Sequence, residues 1–94
     1  MENVIIDDKK YEVIKNYRDA LDVDDLKGKI TEYYDDFDYI LGDYAYGKVR
    51  LKGFNEKSNK GYNKINDYNN INSYIKDCCA YDCRYFILKK VIDK

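Results

Sequence analysis

The sequence predicts an α+β domain: a mainly antiparallel sheet of about five strands with two helices, in the order β-β-α-β-β-α-β. Three patterns lead to this prediction. Lys48–Phe54 alternates apolar and charged residues with a period of two, as a strand buried on one face does. Residues 23–37 carry apolar side chains at three- and four-residue spacing, which is typical of a helix packed by one side. Residues 84–92 contain a continuous apolar run, which favours an interior strand.

The centre of the chain is a predicted β-hairpin, with strands at residues 38–44 and Lys48–Phe54 and a tight turn at residues 45–47. Val49 and Leu51 are expected to face the core, and the cations between them are expected to face water. Three glycines suit a turn or a close approach of another group to the backbone: Gly42, Gly47 and Gly53.

The N-terminal part of the chain predicts a second hairpin. Asn3–Ile6 and residues 11–17 are runs of β-favouring residues, and residues 7–10 between them have the composition of a turn. Ile14 breaks the alternation of the second run, so we expect both faces of this strand to be partly covered.

Two helices complete the predicted fold. The first, at residues 23–37, has Asp22 as its N-cap, and Gly28 within it costs up to about 1 kcal/mol relative to Ala. Its apolar stripe consists of Leu26, Ile30, Tyr33, Tyr34 and Phe37. Apolar residues recur again at helical spacing from Ile65 to Cys78. The polar loop, the second helix and the last strand are predicted at residues 55–66, 67–79 and 84–92.

Composition limits the class of protein. Residues 1–94 are expected to form one domain, which can bury about two-thirds of the surface of its unfolded chain. No apolar run approaches the ~20 residues of a membrane helix, and no signal peptide is recognisable. Three cysteines, an odd number, favour a reducing compartment, so we expect a cytoplasmic protein. The lack of histidine makes an enzyme less expected, and no cofactor is predicted.

Charge is distributed unevenly along the chain. Residues 1–47 hold 13 acidic and 6 basic residues, a net charge of −7, whereas residues 48–94 hold 5 acidic and 11 basic residues, a net charge of +6. Such asymmetry is typical either of a charged interaction face or of two halves that attract each other when folded.

Three segments carry a resemblance to a known family: YRDAL at residues 17–21, DYILGDYAYGKVRLKGF at residues 38–54 and CAYDCRYFILKK at residues 79–90. In order and spacing they resemble the YutD-like family of small proteins from low-GC Gram-positive bacteria. Tyr44 and Asp82 stand where family members typically carry Trp and Gly. The resemblance implies a small α+β fold, and it implies no activity.

A basic and aromatic surface is the first candidate site. Its predicted contact residues are Tyr44, Tyr46, Lys48, Arg50, Lys52, Lys89 and Lys90. Cations that hold phosphates, interleaved with aromatic rings on which bases stack, are what single-stranded RNA requires. Tyr and Arg are also enriched in protein interfaces, so a protein partner is equally open. The alternative is the ordinary solvated face of a sheet, where cations discourage edge pairing.

The cysteines are the second candidate site. A structural zinc takes four ligands, and Cys78, Cys79 and Cys83 supply three. Asp77 or Asp82, or a second subunit, would have to complete the shell. A redox pair of Cys79 with Cys83 is an alternative, and a third is that these are small buried apolar residues. No metal is predicted.

A group of acidic residues is the third candidate. The group consists of Asp19, Asp22, Asp24, Asp25 and Asp43, with Arg18 beside it. Clustered carboxylates can bind Mg²⁺ or Ca²⁺, but the spacing matches no EF-hand loop and helix capping already explains three of them.

These observations favour a non-enzymatic binding domain of a bacterial cytoplasmic protein. Its expected partner is RNA or another macromolecule, and a protein-binding or regulatory adaptor role is the alternative. An enzyme that uses Asp43 or Cys83 is the remaining class, although no complete catalytic constellation accompanies either residue.

Overall fold

The computed structural model describes residues 3–45, 47–78 and 84–91 of the chain. Five strands form one sheet: β1 (Asn3–Ile6), β2 (Lys9–Tyr17), β3 (Tyr39–Ala45), β4 (Lys48–Phe54) and β5 (Tyr85–Lys90). Two helices accompany them: α1 (Val23–Leu26) and α2 (Ile71–Cys78). The strand order is β1-β2-β5-β3-β4 and every pair is antiparallel. The predicted α+β class is therefore confirmed.

Strand β5 lies in the centre of the sheet, between β2 and β3. Phe86 and Leu88 point into one layer of the core, and Ile87 points into the other. All three side chains are buried. The prediction of an interior strand from the continuous apolar run is confirmed, because both faces of this strand are covered by protein.

Each face of the sheet has its own apolar core. The face that packs against residues 20–37 is here called the α1 face. Its buried residues are Ile6, Tyr11, Ala20, Leu26, Ile30, Ile40, Phe86 and Leu88. The opposite face packs against the segment of α2 and is called the α2 face. Its buried residues are Tyr39, Leu41, Phe54, Ile71 and Ile87.

The β3–β4 hairpin has the predicted orientation. Its register pairs Tyr39 with Phe54 at one end and Ala45 with Lys48 at the other. Val49 and Leu51 pack against the core of the α1 face, so the alternating side chains of β4 belong to the α2 face. At the turn, Gly47 has the expected positive φ, at 77°.

Two glycines of the hairpin lie directly under aromatic rings. A Cβ atom at Gly42 would lie 2.1 Å from the Cζ atom of Phe86, and one at Gly53 would lie 2.2 Å from the Cγ atom of Phe37. The predicted close approach is confirmed at both positions, because no larger residue leaves room for these rings.

The single helix predicted at residues 23–37 is wrong. Only α1 is α-helical, and a separate 3-10 helix follows at Glu32–Asp36. Gly28 has a φ of +78°, a left-handed conformation that ends a helix rather than continuing it. The apolar stripe is also interrupted, since Leu26 and Ile30 are buried whereas Tyr33 is 67% exposed.

The N-terminal hairpin turns more tightly than predicted. Asp7 and Asp8 alone form the turn, with φ values of 50° and 68°, so β2 already begins at Lys9. Positive φ at both central residues is the signature of a type I′ turn, which matches the twist of the flanking strands. A register shift between Val13 and Lys15 accounts for the interrupted alternation at Ile14.

Side-chain hydrogen bonds order the polar segment after β4. The Oδ1 atom of Asn55 accepts from the backbone amide of Asp38 at 2.9 Å and from Asn59 at 3.0 Å. The second helix begins later than predicted, because a 3-10 turn at Tyr68–Asn70 precedes α2. Ile65, which fits the helical apolar pattern, lies before this turn and is 78% exposed.

Candidate functional site

Arg50 is bound to a buried carboxylate on the neighbouring strand. Asp43 is its cross-strand partner, and the two side chains form a bidentate pair with Nη2–Oδ2 and Nε–Oδ1 distances of 2.7 and 3.1 Å. The side chain of Asp43 is 3% exposed and that of Arg50 is 47% exposed. The guanidinium is therefore held in place and its charge is largely matched.

Lys52 and Lys48 occupy the same face of β4 as Arg50. The ammonium of Lys52 lies 5.5 Å from the ring centroids of both Phe54 and Tyr74, within the range of a cation–π contact. Lys48 is exposed at the start of the strand. Three cations thus follow one another along one strand, and each has a different environment.

Tyr44 lies on the α1 face, opposite to the three cations. The guanidinium of Arg84 lies 4.3 Å from its ring centroid. Burial raises the pKa of the Tyr44 hydroxyl, and the carboxylate of Asp25 raises it further. Together with acidic residues at the start of α1, this pair lines a groove of about 480 Å³. Arg84 directly precedes β5, and no local sequence pattern distinguishes it.

Two lysines of β5 are divided between the faces. The ammonium of Lys89 lies 5.9 Å from the ring centroid of Tyr39 on the α2 face. That of Lys90 donates to the backbone carbonyl of Asp35 on the α1 face. The seven predicted contact residues therefore do not share one face: Tyr44 and Lys90 lie opposite the others, and Tyr46 lies outside the described residues.

The acidic group at α1 acts in capping and ion pairing. Asp22 caps the helix by accepting from the amide of Asp25 at 3.2 Å, as predicted. Asp25 pairs with Lys29 at 2.9 Å, and Asp24 pairs with Lys27 at 3.2 Å. Within the described ranges, no group of three or more Cys, Asp or Glu residues is arranged to hold a metal ion.

The cysteine candidates lie almost entirely outside the described residues. Cys78 ends α2, and its side chain is not among those described. Cys79, Cys83 and Asp82 belong to residues 79–83, which are not described at all. The metal, redox and buried alternatives for these thiols remain predictions.

A family comparison covers nearly the whole chain. The family described as "Putative antitoxin YutD-like" matches residues 5–89. The chain belongs to this YutD-like family. The resemblance seen in the sequence is thereby confirmed.

The B. subtilis protein YutD, compared in sequence and in structure, shows how closely the YutD-like chain follows a relative. The chain is 30% identical over 88 residues to "Putative antitoxin YutD" of Bacillus subtilis strain 168, a match that covers 94% of this chain and 97% of the relative. The solution NMR structure of the B. subtilis protein yutD superposes with a TM-score of 0.76 at 28% identity, covering 97% of this chain and 83% of that one.

A groove beside β4 is a part of the site that the sequence did not indicate. It has a volume of about 480 Å³, and its wall includes Tyr33, Phe37, Leu51, Lys52 and Ile65. The apolar stripe predicted a packed position for Tyr33, and Ile65 fitted the helical spacing that precedes the second helix, whereas both are exposed in the groove that Lys52 also lines. Among the described residues, no helix is long and apolar enough to cross a membrane.

Proposed function

We propose that this YutD-like chain is a non-enzymatic binding domain whose partner is a protein, and that it acts as an antitoxin does, by holding a toxin protein in a complex. The description "Putative antitoxin", which its family and its B. subtilis relative share, supports a protein partner. Residues 1–94 act as a single domain in this proposal. The cytoplasm of a bacterium is the proposed location, since an odd number of cysteines suits a reducing compartment.

The observation that carries this proposal is the exposure of apolar side chains beside the basic strand. Tyr33 is 67% exposed and Ile65 is 78% exposed, and both line the groove that Lys52 borders. Apolar side chains next to cations suit the core and rim of a protein interface. The aliphatic side chain of Ile65 has neither a charge for a phosphate nor an aromatic face for a base.

Single-stranded RNA is the less favoured partner. It requires cations interleaved with aromatic faces on one surface. Arg50 is already bound by Asp43, and Tyr44 lies on the other face of the sheet. We retain Lys48 and Lys52 as proposed charged contacts of a protein, and Arg50, held by Asp43, lies between them on the same face. The roles of Tyr44, Tyr46, Lys89 and Lys90 stay predictions.

The test is capture by the immobilised full chain from a lysate of the source cells, with and without nuclease. We expect one protein to be captured in equal yield in both conditions. The double variant Lys48→Glu/Lys52→Glu should lose it, because it reverses the charge beside the groove. The matched control Lys10→Glu/Lys15→Glu changes the same charge on β2 and should retain it.

Each other outcome argues against the proposal. Capture that disappears after nuclease treatment would indicate a nucleic-acid partner. Equal losses in both double variants would assign binding to general charge rather than to the surface of β4. Failure to capture any protein would contradict a binding function.

A further inference from the structure

Strand β4 is an edge of the sheet, and its outward backbone groups can be identified. The amide and carbonyl of Asn55 bond away from β3, to Asn66 and Tyr68, at 2.7 and 2.9 Å. Backbone amides and carbonyls alternate in direction along an antiparallel strand. The amides and carbonyls of Val49 and Leu51 therefore also point away from β3. The topology of the described strands has β4 last in the order, with no further strand on this side.

The same edge already pairs with another segment of the chain. Asn55 and Asp67 form a parallel bridge one residue beyond the end of β4. Along β4 itself, the hydroxyl of Tyr34 reaches the carbonyl of Leu51 at 3.5 Å. This distance is long for a hydroxyl donor, so the contact is weak and readily exchanged for a better donor.

The side chains on the two faces of this edge differ in chemistry. On the α1 face, Tyr33, Tyr34 and Phe37 form an aromatic cluster with ring centroids 5.0 to 6.2 Å apart. On the α2 face, Lys48 and Lys52 contribute positive charge. The groove beside β4 has no carboxylate among its described lining residues.

We propose that β4 is the docking edge for the protein partner, which adds an extended segment with alternating acidic and apolar side chains to the sheet. This inference rests on the proposed function. Main-chain hydrogen bonds to Val49 and Leu51 supply affinity, and the alternate side chains supply specificity. Acidic side chains meet Lys48 and Lys52, and apolar side chains enter the groove at Tyr33.

Charge also explains why two copies of this chain avoid pairing through β4. Edge-to-edge contact would bring the cations of one strand against those of the other, and Lys on an edge strand opposes such association. An acidic segment meets the same cations favourably. Lys48 and Lys52 thus select against a second copy and in favour of an acidic partner.

The first test uses synthetic peptides and the unchanged protein. The probe is the peptide EVEVEVE with blocked ends, and the first control is KVKVKVK. Two further controls are EVEVEVE with backbone N-methyl groups on every second residue: one phase is methylated at the Glu residues and the other at the Val residues. We expect the acidic probe to shift the NMR amide signals of Val49 and Leu51. The lysine peptide and one of the two N-methylated phases should bind about tenfold more weakly or not at all.

The second test removes one outward amide from each edge of the sheet. Leu51→Pro removes a donor of β4 without breaking its pairing with β3, and Ile5→Pro is the matched change on β1. The backbone amide of Ile5 points away from β2, because Ile6 forms the hydrogen-bonded pair with Lys9 that closes the two-residue turn. Leu51→Pro should weaken binding of the acidic peptide about tenfold, and Ile5→Pro should leave it unchanged.

Several results would overturn the docking edge while leaving the proposed function intact. For the peptides, these results are no binding of EVEVEVE at millimolar concentration, binding of KVKVKVK as tight as that of EVEVEVE, or equal binding of the two N-methylated phases. For the protein partner, the result is capture at full yield by a folded Leu51→Pro chain. Binding of a uridine oligonucleotide that displaces the acidic peptide would reassign the edge to nucleic acid. If Leu51→Pro does not fold, the N-methylated peptides decide. Loss of all capture would instead contradict the proposed function itself.

Discussion

Replacing Gly42 with Ala should destabilise the protein strongly, because the new methyl group overlaps a buried ring. A Cβ atom there lies 2.1, 2.5 and 2.7 Å from three ring carbons of Phe86. Carbon atoms normally approach to about 3.5–4.0 Å, so the ring would have to move by more than an ångström. Phe86 is 0% exposed and is packed among the core residues of the α1 face, so moving its ring would displace other buried side chains.

The expected loss of unfolding free energy follows from this overlap. Overpacking a core costs about 1–3 kcal/mol, and a rigid, fully buried ring indicates the upper end, about 3 kcal/mol. A domain of this size has a total stability of about 5–14 kcal/mol, so the loss is a large fraction of it. The melting temperature should fall by about 15 °C.

The assay is urea unfolding followed by circular dichroism, with the midpoint and the slope fitted separately. Gly61→Ala is the control, since its Cβ meets only side-chain atoms at 3.3 and 3.5 Å and should cost less than about 1 kcal/mol. The double variant Gly42→Ala/Phe86→Leu should lose less unfolding free energy than the two single variants together, by about 1 kcal/mol or more. Equal losses at the two glycines, or strict additivity, would show that the ring does not pack on Gly42.

Three further predictions concern polar groups. Asn55→Ala should cost about 2 kcal/mol in urea unfolding, because it leaves the Asp38 amide without its acceptor; an unchanged midpoint would contradict this. Hydrogen bonds from the backbone amide of Asn69 and from the hydroxyl of Tyr62 lower the pKa of Asp67. The ionised Asp67 therefore contributes to stability above its ordinary pKa of 3.8, and this contribution is lost as the pH falls through the lowered value. Asp67→Asn should therefore flatten the fall of melting temperature in acid. Burial and then a hydrogen bond to a glutamate raise the pKa of Tyr39, so Tyr39→Phe should reduce the loss of stability above pH 10.0.

The strands were largely predictable because their signals are local. The two-residue alternation of Lys48–Phe54 depends only on neighbouring side chains, and the structure has the same bounds. Helix periodicity was less reliable. The stripe at residues 23–37 satisfied the spacing rule, yet the backbone turns left-handed at Gly28. Tertiary packing of two shorter helical pieces prevailed over the periodic pattern.

The candidate site was predicted less completely than the fold. The cations of β4 were evident from their spacing. The partner of Arg50 was not, because a cross-strand pair depends on the register of the hairpin rather than on sequence proximity. Tyr33 was expected to pack inward with the apolar stripe, and no local signal distinguishes an apolar residue that packs inward from one that lines a groove.

Local sequence was sufficient to predict the hairpins, the cap at Asp22 and the inward direction of Val49 and Leu51, since each depends on residues a few positions apart. The strand order, in which β5 lies between β2 and β3 and β4 lies at the edge, could not be predicted from local sequence. That order depends on which apolar faces bury one another across the whole chain. It is also what exposes a basic strand beside an aromatic groove.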